Sequence, residues 1–510
     1  MPRYAAVDIG SNSVRLLVAD AAGNMPLQTL AEDRSVTRLG ESVFRQGRIS
    51  EEALAFLCEQ LTRMAAILQK HDVHAVRAVA TAAVRDASNR AEFLERAALA
   101  LGARIEVISG QEEARLIHLG VCARWPHPRE RRLLLDIGGG SAEVMLSESG
   151  RLVEAFSKPL GAVRLNEVFL KSNPPTAQEL HRLEQFIDEK LQPALDRIGA
   201  GPFDRMIVTS ASAAAIVCAA NRIPRPRREE ADRLRATASQ VRKLYHQLAS
   251  QTLAARRKVV GIGPRRAEII VSGAAVFNRV LDLFEQPSMY YSVAGVRDGI
   301  VADLLARGAG RELSRLSREQ RQVVESMVRR YGVDLKHARH VAGLTQQIFE
   351  SAVLLHRLPP AWGKVLEAAA YLCDIGHFVS DTGHHKHSAY LVDNSDLPGF
   401  TDQERRFIAL LCRFHRKSLP APRHEPYQTL DPESRKALLL LIPLLRLADA
   451  LEESQEQKVT RVRLEARNGT LLAAIQHSGD ADLEQWAAER LSELFRQVYG
   501  LPVSVTHWRP

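Results

Sequence analysis

What the chain lacks narrows the reading first. It has only five cysteines in 510 residues, Cys58, Cys122, Cys218, Cys373 and Cys412, scattered and without a CxxC pair. That pattern excludes a disulfide framework and a zinc ribbon and fits a reducing compartment. No segment is low in complexity, and apolar residues, 45% of the total, recur throughout, so disorder is excluded for most of the chain. The greasiest run, 437–445, is too short to span a bilayer and contains Pro443. Asp8 and Arg15 interrupt the first apolar stretch, as no signal-peptide core allows. A soluble, cytoplasmic protein is expected, without a transmembrane segment.

Lysine is scarce as well: only 12 of the 69 basic residues are Lys, the rest Arg. The net charge of +9 favours polyanionic partners: nucleic acid, an anionic membrane surface or phosphate-rich substrates. Arg is the side chain suited to phosphate, although a GC-rich genome produces the same bias without any ligand.

What is present is an internal echo. Residues 5–20 read AAVDIGSNSVRLLVAD and residues 133–148 read LLLDIGGGSAEVMLSE. Each is an apolar strand, Asp-Ile-Gly-x-x-Ser, and a second apolar strand, the signature of a β-hairpin. Asp8 matches Asp136, Gly10 matches Gly138 and Ser13 matches Ser141, all 128 residues apart. That spacing is far beyond a solenoid period and implies two copies of one domain. Glycines let backbone N–H groups converge on an anion, and Ser11, Ser13 and Ser141 add hydroxyls. An acid beside such a nest suits Mg²⁺, which takes one or two carboxylates plus phosphate oxygens; Asp8, Asp136 and Glu143 are the candidates.

Between the copies, Ser109-x-x-Glu112 before an apolar-periodic run predicts a capping box opening a helix. Glu112 then bonds back to the cap. Glu113 points about 100° away around the helix and is left to orient and deprotonate water, or else to face solvent as a first-turn acid.

DIGSNS, TAAVRDASN (81–89), ISGQEEARLI and DIGGGSAEV together resemble the exopolyphosphatase/guanosine pentaphosphate phosphohydrolase (Ppx/GppA) family, in its long form. The resemblance implies an α/β fold in which a duplicated ribonuclease-H-like half, of the actin-like and sugar-kinase-like superfamily, precedes an all-α HD-like domain and a small α+β cap. Segments 1–125, 126–307, 308–456 and 457–510 are expected. It implies Glu113 as the base, Asp136, Glu143 and Asp8 as the acids around Mg²⁺ or Mn²⁺, and Ser11, Asn12, Ser13, Gly138, Gly139 and Ser141 as phosphate-binding turns. Arg85 clamps substrate phosphates. A homodimer is also expected. One stretch departs: where the superfamily carries a G-x-S-G-T-like turn, the chain reads Ser210-Ala211-Ser212-Ala213-Ala214. A Cβ at 210 and 213 would obstruct a nucleotide, which favours a substrate without a base.

After a Gly- and charge-rich joint at 307–317, amphipathic helices are expected at 318–330, 335–355, 364–377, 403–414 and 435–451. HARHVAGLTQQIFE, AAYLCDIGH and LLRLADALE resemble HD-domain hydrolases, with His337, Asp374 and Asp449 at three of the metal-ligand places and Cys373 at that of the dyad histidine. A thiolate is too soft for hard-metal phosphohydrolysis, so a packing role is expected. His384, His385, Lys386, His387, Arg413, His415, Arg416 and Lys417 then line a basic groove for polyphosphate. The cap follows, with a hairpin at Asn468-Gly469, one helix over 482–499 and a strand over 503–507.

These readings converge on a Mg²⁺-dependent exopolyphosphatase acting on inorganic polyphosphate, with pppGpp hydrolysis to ppGpp as the rival and nucleic acid excluded as a partner. An ATP-dependent kinase or chaperone-type ATPase, and a non-catalytic polyphosphate- or alarmone-binding regulator, are the alternatives from other classes.

Overall fold

A computed structural model describes residues 2–20, 28–126, 129–308 and 314–508. Part of the expected joint, 309–313, lies outside the described residues. The chain divides into two compact units, Met1–Ala306 and Arg307–Pro510. No described helix is long and apolar enough to cross a membrane.

The first unit holds two sheets. In the first, β1 (Arg3–Ile9), β2 (Val14–Asp20), β3 (Gln28–Ser35), β4 (Ala75–Ala80) and β5 (Ile105–Val107) lie in the order β3-β2-β1-β4-β5. In the second, β6 (Arg131–Ile137), β7 (Ala142–Glu148), β8 (Arg151–Lys158), β9 (Arg205–Thr209), β10 (Arg235–Thr237) and β11 (Ser288–Tyr291) lie in the order β10-β11-β9-β6-β7-β8. Read from β8, the second sheet repeats the first and adds β10 at its edge. Both copies pair their first three strands antiparallel and the fourth parallel to the first. Even the irregularity repeats: register shifts fall between Val18 and Ala19 and between Leu146 and Ser147, again 128 residues apart. A bulge strengthens the twist of a strand, so the two hairpins curl alike.

Each copy has its own core, and the Gly110–Arg124 helix is shared between them. Its Leu116 packs with Tyr4, Ala6 and Leu17 of the first sheet, while Ala114, Ile117 and Val121 pack with Leu134, Met145 and Ile207 of the second. The Val296–Gly308 helix returns to the first sheet through Ile300 and Val301, so the expected break at 125/126 is not a clean one. The two helices touch backbone to backbone: a Cβ on Gly299 would stand 1.7 Å from the Leu116 carbonyl oxygen, a contact open only to glycine.

The second unit has helices Arg318–Arg330, Leu335–Ser351, Ala361–Leu372, His384–Asp393, Asp402–Phe414 and Pro432–Ala450. Beside them stands a sheet of β12 (Val459–Arg467), β13 (Thr470–His477) and β14 (Val503–His507). Asn468 and Gly469, both at positive φ, make the expected tight turn. The segment expected to form one helix over 482–499 is two, Asp482–Glu489 and Ser492–Tyr499. Nor is 457–510 a separate cap. Val462, Leu471, Ile475 and Val503 belong to one continuous core with Leu344, Phe349 and Leu441 of the helices.

Candidate active site

The two hairpin turns face each other at the head of the first unit. An ideal Cβ on Gly139 would lie 3.0 Å from Ser11 Cβ and 3.3 Å from the Asn12 nitrogen. Each turn closes identically, Gly10 N–H donating to Ser13 O and Gly138 N–H to Ser141 O, both at 3.0 Å. In the second turn the carbonyls of Gly138 and Gly139 accept from Ala162, Val163 and Arg164 at 2.9–3.0 Å, and Gly140 O accepts from Arg164 Nε at 2.8 Å. A trans peptide points its N–H opposite to its C=O. The amides of Gly139, Gly140 and Ser141 therefore turn away from the Ala162–Phe169 helix, on the stretch that lines a cleft of about 1490 Å³. Three convergent donors make an anion nest.

The first turn is used differently. Ser11 Oγ accepts from the Ala83 N–H at 3.2 Å, Ser11 O from Gly40 at 2.7 Å, and Asn12 O from Thr37 and Arg38. Ser11 is 3% exposed; its hydroxyl ties the turn to the Ala82–Asp86 helix that follows β4, although the turn still lines the cleft.

Four acids gather beneath the turns. Asp8 stands opposite Arg15 across the first hairpin, and Asp136 opposite Glu143 across the second. Thr209 Oγ1 donates to Asp136. Glu143, fully buried, accepts from Ser157 Oγ at 2.8 Å through Oε1, while its Oε2 has no partner. Glu113 comes from the first turn of the shared helix; its Oε2 also lacks a hydrogen-bond partner and stands 3.8 Å from Arg85 Nη1. Arg85 in turn donates to Ile108 O at 2.7 Å and does not itself line the cleft.

Burial raises all four carboxyls. Repulsion from Asp136 adds to burial at Glu143, pushed up to about 8, and repulsion from Glu143 adds to it at Glu113, held well above the usual range. Asp8 and Asp136 are raised by burial, partly offset by Arg15 at Asp8 and by the Thr209 bond and then Arg15 at Asp136. Acids crowded this way bind a cation or a proton readily. Among the described residues no three of their ligand atoms come together as tightly as in the second unit.

Glu112 does not serve the expected capping box. Ser109 Oγ accepts from the Glu112 N–H, but the Glu112 carboxylate is buried against Arg77 at 3.0 Å and Arg115 at 2.7 Å, and both guanidiniums also reach Asp303 at 2.9 Å. Burial alone would raise Glu112; Arg115 and Arg77 outweigh it and hold it below its usual range. This network clamps the shared helix to β4 and to the Val296–Gly308 helix, and so aims Glu113.

The sequence reading missed the cleft's arginines. Nine line it, among them Arg15, Arg34, Arg228, Arg266 and Arg297. Burial and mutual repulsion lower Arg34 to about 9, and burial followed by repulsion from Arg15 lowers Arg266 to about 10. The signal was available: counting 128 residues back from Glu143 gives Arg15. The 210–214 turn also needs correcting. Ser210 adopts φ 95, in the region that favours glycine, and opens the Ser210–Ala220 helix, so the stretch is the first turn of a helix. Ala213 is fully buried in the core, so its Cβ does not obstruct the cleft.

In the second unit the expected basic groove is not a groove. His384, His385 and His415 are 4%, 3% and 1% exposed. Burial pushes His385 and His415 down to about 4, leaving them uncharged near neutrality. Lys386, Arg416 and Lys417 are exposed, His387 and Arg413 half-buried.

Two mirrored mixed sheets with facing phosphate-type turns, and acids between them, define an actin-like phosphate-handling enzyme. The chain belongs to the Ppx/GppA phosphatase family: that family's profile matches residues 17–308, and the profile of its domain III matches 320–483. It is similar to the guanosine-5'-triphosphate,3'-diphosphate pyrophosphatase of Photobacterium profundum, 28% identical over 82% of this chain and 81% of that one. Among solved structures it resembles the Ppx/GppA family member of Aquifex aeolicus (29% identity, TM-score 0.53, 61% of this chain and 99% of that one). It also resembles an exopolyphosphatase from Cytophaga hutchinsonii (27% identity, TM-score 0.55, 60% and 98%). The protein is thus a Ppx/GppA-family hydrolase.

Proposed function

We propose that the protein is an exopolyphosphatase that removes orthophosphate from the ends of inorganic polyphosphate. One observation carries the reading: a buried carboxylate with an unpartnered oxygen, Glu113, beside two phosphate-type turns in an arginine-lined cleft. The turn amides hold the terminal phosphoryl group, Arg85 holds Glu113 in place, and Glu113 Oε2 takes the proton of the attacking water. The raised affinity of Glu113 for a proton makes it a strong acceptor once ionised. Arg15, Arg34, Arg266 and Arg297 repel one another until a polyanion lies among them, which suits a repeating phosphate chain with no base. Asp8, Asp136 and Glu143 would hold Mg²⁺ or Mn²⁺, consistent with their crowding and the unpartnered Glu143 oxygen; when bound, such an ion spreads charge from the phosphoryl oxygens.

Hydrolysis of pppGpp is the second reading, favoured by the similarity to a guanosine-5'-triphosphate,3'-diphosphate pyrophosphatase over 82% of this chain. Orthophosphate release from long-chain polyphosphate, pppGpp and ATP, with Mg²⁺ and with chelator, separates the readings. Polyphosphate is expected to be turned over fastest, and Glu113→Gln to lower release about 10²–10⁴-fold without loss of fold. Turnover of pppGpp alone would install the second reading; wild-type rates in Glu113→Gln would remove Glu113 as the base.

A further inference from the structure

The two turns are held from behind in different ways. In the first copy Ser11 O accepts from the Gly40 N–H at 2.7 Å, and Asn12 O accepts from Thr37 and Arg38 at 3.1 and 3.2 Å. All of these donors are backbone amides. In the second copy Gly139 O, the counterpart of Ser11 O, again accepts from amides, those of Val163 and Arg164. Gly140 O, the counterpart of Asn12 O, does not. Its donor is a side chain, Arg164 Nε at 2.8 Å, and among the described residues no other group donates to it.

Position 140 is where such a clamp is needed. An ideal Cβ there would lie 2.6 Å from Phe44 Cζ, 2.7 Å from Ser11 Oγ and 2.8 Å from Ala82 Cβ, so the approach of the first copy leaves room only for glycine. Glycine lacks the steric restraint that a Cβ places on the backbone, so the Gly140–Ser141 peptide is free to turn over unless its carbonyl is held. Turned over, it would take the Ser141 N–H out of the nest and put a carbonyl oxygen in its place. An oxygen there repels the anion that the nest attracts.

The guanidinium that holds the carbonyl is itself fixed. Arg164 Nη2 donates to the Asp86 carboxylate, and Arg164 Cζ lies 4.0 Å over the centre of the Phe44 ring. Asp86 ends the short Ala82–Asp86 helix, next to Arg85, which stands beside Glu113. Arg164 does not line the cleft. Whatever it does to a bound phosphate therefore passes through the groups it holds.

We infer that Arg164 is a positioning residue for the phosphate nest. It locks the Gly140–Ser141 peptide with its N–H towards the cleft and ties that peptide to the helix that carries Arg85. This rests on the reading that the turn amides receive the terminal phosphoryl group, but not on which substrate carries that group or on Glu113 as the base.

The test titrates the full-length protein with orthophosphate by calorimetry, which needs no turnover, and measures hydrolysis of polyphosphate and pppGpp in parallel. Arg164→Ala is expected to bind orthophosphate about tenfold more weakly, the worth of one hydrogen bond to a charged group. Two further variants separate position from charge. In Arg164→Gln the amide nitrogen stands as many bonds from Cα as Nε does, so the donor to Gly140 O is kept without the charge. In Arg164→Lys the charge is kept, but a methylene stands where Nε was. Arg164→Gln is expected to stay within about threefold of the wild type and Arg164→Lys to be as weak as Arg164→Ala, with kcat/KM following the same order. Thermal unfolding verifies that each variant is folded, and the Gln and Lys variants decide the matter if Arg164→Ala is not. A wild type that hydrolyses neither substrate sinks the catalytic reading alone, because the orthophosphate titration still decides this one. No saturable orthophosphate binding in the wild type, full affinity in folded Arg164→Ala, or Arg164→Lys binding better than Arg164→Gln overturns the inference.

Discussion

The two hairpins share length, register and even the position of a bulge, yet their second strands carry opposite charges at the same place. Asp8 faces Arg15; Asp136 faces Glu143. In the first copy the cation partly offsets the burial of the acid, and in the second the paired acid makes it worse. The duplicated backbone thus supplies two turns of one shape, while one difference in sequence puts a cation opposite the acid in one copy and a second acid in the other. Symmetry in a fold does not carry over to the chemistry mounted on it.

The largest way to break the comparison is Glu143→Gln, which gives the second hairpin neither charge. Unfolded, Glu143 ionises near 4.5; folded, at about 8. Between those values the folded state keeps a proton that the unfolded state has lost, so stability falls as pH rises through that window. Glu143→Gln is expected to raise the melting temperature at pH 8, with little change at pH 5. Phosphate release is expected to drop about 10²–10⁴-fold, the trade of stability against activity common at active sites. Calorimetry at the two pH values and a phosphate assay read both effects. An unchanged melting temperature at pH 8 would mean that the acid is not strained by burial.

Arg15→Gln probes the other side of the same register. It is expected to raise KM for polyphosphate about tenfold while changing kcat little, because a clamp that binds ground and transition states alike acts through KM. The defect should fade at high salt, where wild-type binding weakens too. A loss confined to kcat would place Arg15 in the chemical step instead.

The smallest effect is expected at Ser210, where the second copy holds a serine in a glycine conformation. Ser210→Gly should add about 0.5–1 kcal/mol of stability by relieving backbone strain and leave kcat/KM within about twofold. Destabilisation would show that the Ser210 hydroxyl, which accepts from the Ala213 N–H at 3.3 Å, matters more than the strain.

Much of the first unit was legible because its signals are local. The DIGxxS turns and the helix capped by Ser109 follow from patterns spanning a few residues, and the chain's own repeat aligned the two copies. The errors have one kind of cause. Glu112 looked like a capping partner because Arg77 and Asp303 are remote in sequence. His384 and His415 looked like a basic surface because a histidine's charge depends on burial, and burial depends on which helix face meets the core. Segment 457–510 looked separate because its apolar alternation does not say what it packs against.

Residue spacing alone determined the duplication, the facing acids and serines, and the identity of the helix that carries Glu113, since each depends on the backbone's short-range geometry. Only the tertiary structure decided that Glu143 and Glu113 are buried close enough to repel each other, that nine arginines line one cleft, and that His384 and His415 turn inward towards Asp374. Charge acquires its energy from neighbours and from the exclusion of water, and both are set when distant segments meet.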